Sequence, residues 1–169
     1  PAATTTLAEL TKTSVKYPGL FTIYQDSVTG ALQMVVRKDQ VGKEYIYFSV
    51  TDEGVLPAGS FRGAFGPNNV FAVRKHFNKI EFVTQNTSFY FDPASPLSRA
   101  ADANLSPGVL ASTEIAATDT ATGEYLIKAD DLFLTETLRQ VKPSPRPGAP
   151  PGAGFTLGSL SKSKTRVES

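Results

Sequence analysis

Residues 20–36 read LFTIYQDSVTGALQMVV, two β-rich segments on either side of the turn Asp26–Gly30. Gly30 can adopt a positive φ at no steric cost, and the Asp26 carboxylate can accept hydrogen bonds from backbone N–H groups two residues further on. These are the requirements of a β-hairpin with a bulged turn. In its second strand the apolar side chains recur with a period of two, which places on one face Leu32, Met34 and Val36.

The same pattern occurs twice more along the chain. Residues 69–85 predict a second hairpin around His76-Phe77-Asn78, and residues 109–128 predict a third around Asp119–Gly123, a second D-x-x-T-G turn. Two such short matches do not establish an internal repeat. Between the hairpins, Glu44–Thr51 predicts a strand with two faces. One face carries Tyr45, Tyr47 and Ser49, and the other carries Ile46, Phe48 and Val50.

The remaining segments predict short elements and loops. Thr6 and Glu9 have the spacing of a capping box at the start of a helix. Helical segments are predicted at Leu7–Thr13, Lys38–Val41, Pro96–Leu105 and Ala129–Gln140. Residues 52–69 are rich in glycine and predict a loop. A short strand is predicted at Thr87–Phe91, and the start of another at Thr165–Glu168.

The fold class predicted from these segments is mainly β: antiparallel hairpins in a sandwich- or barrel-like sheet, with a few short helices. We expect residues beyond 169 to complete it. The predicted regions are an N-terminal arm with a short helix (1–16), a β-rich domain (17–141), a Pro/Gly-rich linker (142–154) and the start of a further strand or segment (155–169). The chain begins without Met or a leader, so we expect a signal peptide to have been removed or omitted.

Composition excludes several functions for this chain alone. It has no cysteine and one histidine, which excludes disulfides, thiolate metal sites and an H-E-x-x-H zinc motif. No apolar run is long enough to span a bilayer. Residues 142–169 are basic, with five Lys and Arg against one Glu. These charges are sparse and no aromatic side chains interleave with them, so we expect no nucleic-acid binding.

Individual candidate residues have simpler explanations than catalysis. His76 lies at a predicted hairpin tip, where a solvated histidine is the ordinary outcome. Asp130 and Asp131 are adjacent on a predicted helix and do not face each other, and their place at its N-terminus explains them. Asp26 and Asp119 lack the spacing of a calcium loop. We therefore predict no catalytic, cofactor-binding or metal-binding residue in this chain.

Three further sets of residues are also explained without a site. The glycine-rich loop lacks the spacing of a phosphate-binding loop, and its glycines are Gly54, Gly59, Gly63 and Gly66. Two tripeptides fit the glycosylation pattern, which matters only in a eukaryotic secretory pathway, and they begin at Asn86 and Asn104. We expect the aromatic strand residues to form core rather than a ligand platform.

Several segments, taken in order, match one bacterial pattern. Residues 17–32 have the form GLFTvY-D-x-x-T-G-x-L, and residues 41–45 match a step written lGkefL. An R-G pair falls at Arg62-Gly63. Residues 70–83 match vrFxRxGxxVxLv, Asn86 with Phe89 matches NtxF, and residues 123–133 match g-x-yLIDxtxLF. Together these segments resemble the uncharacterised N-terminal domain of large bacterial zinc-dependent metalloproteases. The chain departs from that pattern at the R-x-G turn, replaced by residues 74–77, and at Lys128, where an acid is common.

The resemblance implies a secreted or periplasmic parent with H-E-x-x-H-type peptidase activity, of which this chain is a non-catalytic accessory region. The zinc would then lie in the catalytic domain, the expected partner within the same protein or as a second chain; a peptide substrate is a further candidate partner. Such a region could brace the catalytic domain, shield its cleft or hold a substrate. A stand-alone adhesin-like or carbohydrate-binding module is the alternative. A third hypothesis, a hydrolase in its own right, needs His76 or a carboxylate pair.

Overall fold

The structure, a computed structural model, describes residues 5–58, 60–100, 105–139, 148, 150 and 160–168. The prediction of a mainly β, antiparallel fold with a few short helices is confirmed. The described strands form one open eight-stranded sheet in the order β1-β2-β3-β8-β7-β6-β5-β4. The strands are β1 Ser14–Tyr17, β2 Thr22–Asp26, β3 Leu32–Arg37, β4 Glu44–Val50, β5 Phe65–His76, β6 Lys79–Thr84, β7 Val109–Asp119 and β8 Glu124–Lys128.

The central strands are buried on both faces. Met34 and Ile127 pair across β3 and β8 and belong to the main core on one face. Val35 and Leu126, one position along each strand, belong to a second cluster on the opposite face, together with Leu10. Helix α1 (Leu7–Leu10) supplies that leucine, so the short N-terminal helix covers the second face of the sheet beside Val35 and Leu126.

The sheet curls around the main core. Phe21, just before β2, lies with its ring centroid 5.1 Å from that of Tyr45 on β4, although five strands separate β2 from β4 in the sheet order. Tyr45 in turn contacts Phe71, and Phe71 contacts Phe82, each at 5.7 Å. Aromatic pairs in tilted, stacked or edge-to-face arrangements stabilise a fold beyond the free energy gained by burying their apolar area. The curl is therefore held by side-chain packing, while the described sheet stays unclosed.

Two hairpins meet about a local two-fold axis. The β2–β3 and β7–β8 turns have the same D-x-x-T-G sequence, and in both the glycine N–H donates to the aspartate carbonyl at 2.9 Å. Met34 and Ile127 lie eight positions after their respective aspartates and pair with each other. The sequence match of the two turns, too short to show a repeat, thus corresponds to two equivalent hairpins joined side by side.

The buried side chain of Gln40 ties a short turn to the sheet. Lys38–Gln40 forms one turn of 3-10 helix, one residue shorter than the predicted Lys38–Val41, because Val41 is already extended; Gly42 follows at φ 83°. The Gln40 amide donates to the Leu20 carbonyl at 2.5 Å and accepts from the Arg37 N–H at 2.8 Å. The Gln40 side chain thus provides hydrogen-bond partners for the Leu20 carbonyl and the Arg37 N–H, and it fixes the connection between β3 and β4.

The predicted helices are shorter in the structure. The capping box at Thr6 and Glu9 is confirmed, but α1 ends at Leu10 because β1 begins four residues later. The helix predicted over Ala129–Gln140 is only α2 (Asp130–Phe133). No helix among the described residues is long and apolar enough to cross a membrane. Of the helix predicted at Pro96–Leu105, residues 98–100 are helical and residues 101–104 lie outside the described residues.

Three predictions about strands and loops were wrong. Residues 87–91 form no strand, because the Asn86 side chain instead bonds the backbone of Ser88 and Phe89 in a turn. The loop predicted over 52–69 ends early, since β5 begins at Phe65. Residues 165–168 are not a strand; a 3-10 turn, Lys162–Lys164, precedes them. Except for residues 148 and 150, the linker 142–154 lies outside the described residues, as do residues 155–159.

Candidate functional site

Four large apolar side chains are exposed together at one end of the sheet. We call this set the outer strip, and it consists of Ile46, Phe48, Val50 and Phe65. Ile46 is 76% exposed, Phe48 is 64% exposed and Phe65 is 82% exposed. Contiguous exposed apolar surface of this kind marks an interaction site more often than scattered single residues do.

Strand alternation explains why these residues face outward. In β4 the odd-numbered positions point to the main core, where the Tyr47 hydroxyl donates to the Leu138 carbonyl at 3.0 Å. The even-numbered positions therefore point away from it. Val50 lies directly opposite Phe65 on β5, and Phe48 lies opposite Asn68, which places these side chains on the same outer face.

A groove runs along the outer strip. It has a volume of about 440 Å³ and is lined by Ile46, Phe48, Phe65, Asn68, Asn69, Val70 and Thr87. Apolar walls supply most of the contact area in such sites, and a few amides or hydroxyls fix the orientation of a ligand. The groove combines both: two phenylalanine rings, with Asn68, Asn69 and Thr87 beside them.

The groove is bordered by the open edge of the sheet. β4 pairs only with β5 among the described strands. The N–H of Val73 donates to the carbonyl of Lys43, which lies opposite it. Because hydrogen-bonding direction alternates along an antiparallel strand, the N–H and C=O groups of Ile46 and Phe48 then point toward the open edge.

β4 and β5 approach each other closely at the end of β4. The register between β4 and β5 shifts between Phe48 and Val50. There a Cβ on Gly66 would lie 2.1 Å from the Ser49 hydroxyl oxygen, so a larger residue would require the Ser49 side chain to move. The Arg139 guanidinium donates to the Thr51 hydroxyl at 2.5 Å and holds the end of the strand from the core side.

Charged pairs flank the outer strip at both ends. Lys43 lies 3.6 Å from Asp39 before β4, and Arg62 lies 3.8 Å from Asp52 after it. All four side chains are more than half exposed. The strip is thus an apolar patch with a charged rim, which is the usual layout of a protein interface.

The structure places His76 on the β5–β6 hairpin, next to the tip residues Phe77 and Asn78. Its ring lies 4.8 Å from that of Phe77, which is 84% exposed and has a φ of 48°. The Lys75 ammonium donates to the Phe77 carbonyl at 2.6 Å. A bulky residue at positive φ is an outlier.

The paired aspartates have separate partners. Asp130 accepts a hydrogen bond from the Leu32 N–H at 2.9 Å, whereas Asp131 forms an ion pair with Lys162 at 2.7 Å. Both aspartates lie in the first turn of a helix, as expected, although α2 has only four residues. Asp130 joins α2 to β3, and Asp131 joins it to the segment around Lys162.

Asp26 and Asp119 act as turn residues. Asp26 accepts from the Thr13 hydroxyl, the Thr29 N–H and the Val28 N–H, and the first two contacts hold its pKa far below the ordinary value. The N–H groups of Thr122 and Ala121 lower the pKa of Asp119 in the same way. These contacts stabilise the two turns, and the one with Thr13 also attaches the first turn to the residue before β1.

The remaining candidate residues lie in turns, in strands or outside the described residues. Gly63 has a φ of 80° and Gly66 lies in β5, so the loop glycines are not gathered into one cradle. Gly59 and Asn104 lie outside the described residues. Within the ranges that the structure describes, no group of three or more His, Cys, Asp or Glu side chains is placed to hold a metal ion.

The outer strip is the feature that the sequence did not single out. Both faces of β4 carry large apolar side chains, so alternation alone could not show which face is buried. The expectation that aromatic strand residues form core is right for Phe71 and Phe82, but Phe48 and Phe65 are exposed. The sequence offered one signal: neither face of β4 is mainly polar, which is typical of a strand that is covered on both sides.

Comparison of the chain with protein-family models, curated protein sequences and solved structures finds no match.

Proposed function

We propose that this chain is a non-catalytic accessory region that docks through the outer strip onto another part of a larger protein. In keeping with the resemblance of residues 17–134, we propose that this protein is a secreted or periplasmic bacterial zinc metallopeptidase. Its catalytic domain, in the same chain or as a second chain, would then be the partner and would hold the zinc.

The outer strip is the observation that carries this proposal. It presents three aliphatic or aromatic side chains from one strand and a fourth from its neighbour, all on one face. Leaving such side chains in water is unfavourable by roughly 25 cal/mol per Å² of apolar surface. A second domain packed over the strip would remove that cost, which favours bracing over the other two accessory roles.

Analysis of the protein from its native source tests the proposal. Intact mass and peptide mapping should find peptides that continue past Ser169 into a chain with an H-E-x-x-H motif, or a second zinc-binding chain that co-purifies. A native product that ends at Ser169 and travels alone would contradict the proposal.

Substitution within the native protein tests the surface itself. Phe48→Lys should lower the melting temperature of the whole protein, because a charge would be placed in the buried contact. Val28→Lys is the matched control, since Val28 is 83% exposed on a turn far from the strip in sequence. Equal effects of the two substitutions would argue against docking at the strip.

The groove supports a second candidate function, a stand-alone carbohydrate-binding module. Phe48 and Phe65 offer apolar ring surface, and Asn68 and Asn69 offer amides that can bond hydroxyl groups. Calorimetry against soluble polysaccharides distinguishes the two functions. Binding that is lost in Phe65→Ala and kept in Phe77→Ala would favour the sugar site. No binding to any polysaccharide would argue against the sugar site and favour the accessory role.

A further inference from the structure

We draw no further inference here: the strongest candidate, the open edge of β4 (Glu44–Val50), pairs only with β5 among the described strands, and nothing in the structure shows what covers its other side.

Discussion

The carboxylates of Asp26 and Asp119 show how single side chains fix the hairpins. Each accepts backbone N–H groups from the following turn, and each is followed by a glycine at φ 73° or 72°. These turns could be predicted from the sequence, because the hydrogen-bonding capacity of aspartate and the φ freedom of glycine are properties of the residues themselves.

Acid should destabilise the protein through these two turns. Their folded-state pKa values are lowered, so the stability they contribute is present above the unfolded value of about 4 and is lost as the pH falls toward the folded value. Asp26→Asn should reduce the fall in free energy of unfolding between pH 6 and acid pH, measured by urea denaturation. Asp52→Asn, an exposed carboxylate in a 3.8 Å ion pair, should change that pH dependence less.

Phe77 is strained at the tip of its hairpin. Phe77→Gly should raise the free energy of unfolding by about 1 kcal/mol, because glycine adopts positive φ without the steric cost that other residues meet. Since the side chain is 84% exposed, little packing is lost. Val28→Gly is the control and should destabilise, as Val28 is similarly exposed and has no positive φ. Destabilisation by Phe77→Gly would contradict this account.

At the scale of elements, β4 shows the limit of sequence patterns. The alternation of Tyr45 and Tyr47 with Ile46 and Phe48 predicts a strand correctly. Which face is buried depends on the curl of the whole sheet, which brings Phe21 against Tyr45 from five strands away. Local periodicity contains no information about that contact.

Two isoleucines on different strands should respond oppositely to truncation. Ile127→Ala should lower the free energy of unfolding by about 2–5 kcal/mol, since Ile127 is fully buried and its truncation leaves a cavity in the main core. Ile46→Ala should change it by less than about 1 kcal/mol in the dilute isolated chain, because its side chain is 76% exposed. Chemical denaturation measures both values. A large loss in Ile46→Ala would mean that the outer strip belongs to the core.

At the scale of the whole molecule, the two faces of the sheet differ: the inner face packs around the main core, whereas the outer face is covered near β3 and β8 but exposed at β4 and β5. The main core lies inside the curl, while the outer strip leaves the apolar side chains of β4 and β5 in water. An antiparallel sheet usually presents a polar face to solvent. The apolar outer face is therefore the strongest physical reason to assign this chain a docking role.

Hydroxyl-radical footprinting of the phenylalanine side chains tests that central claim most directly. The protein from its native source would be compared with the dilute, isolated 169-residue chain. We predict that Phe48 and Phe65 are labelled in the isolated chain and protected in the native protein, whereas Phe77, exposed on the hairpin tip, is labelled in both. Equal labelling of Phe48 and Phe65 in the two samples would contradict the claim that the outer strip is a docking surface.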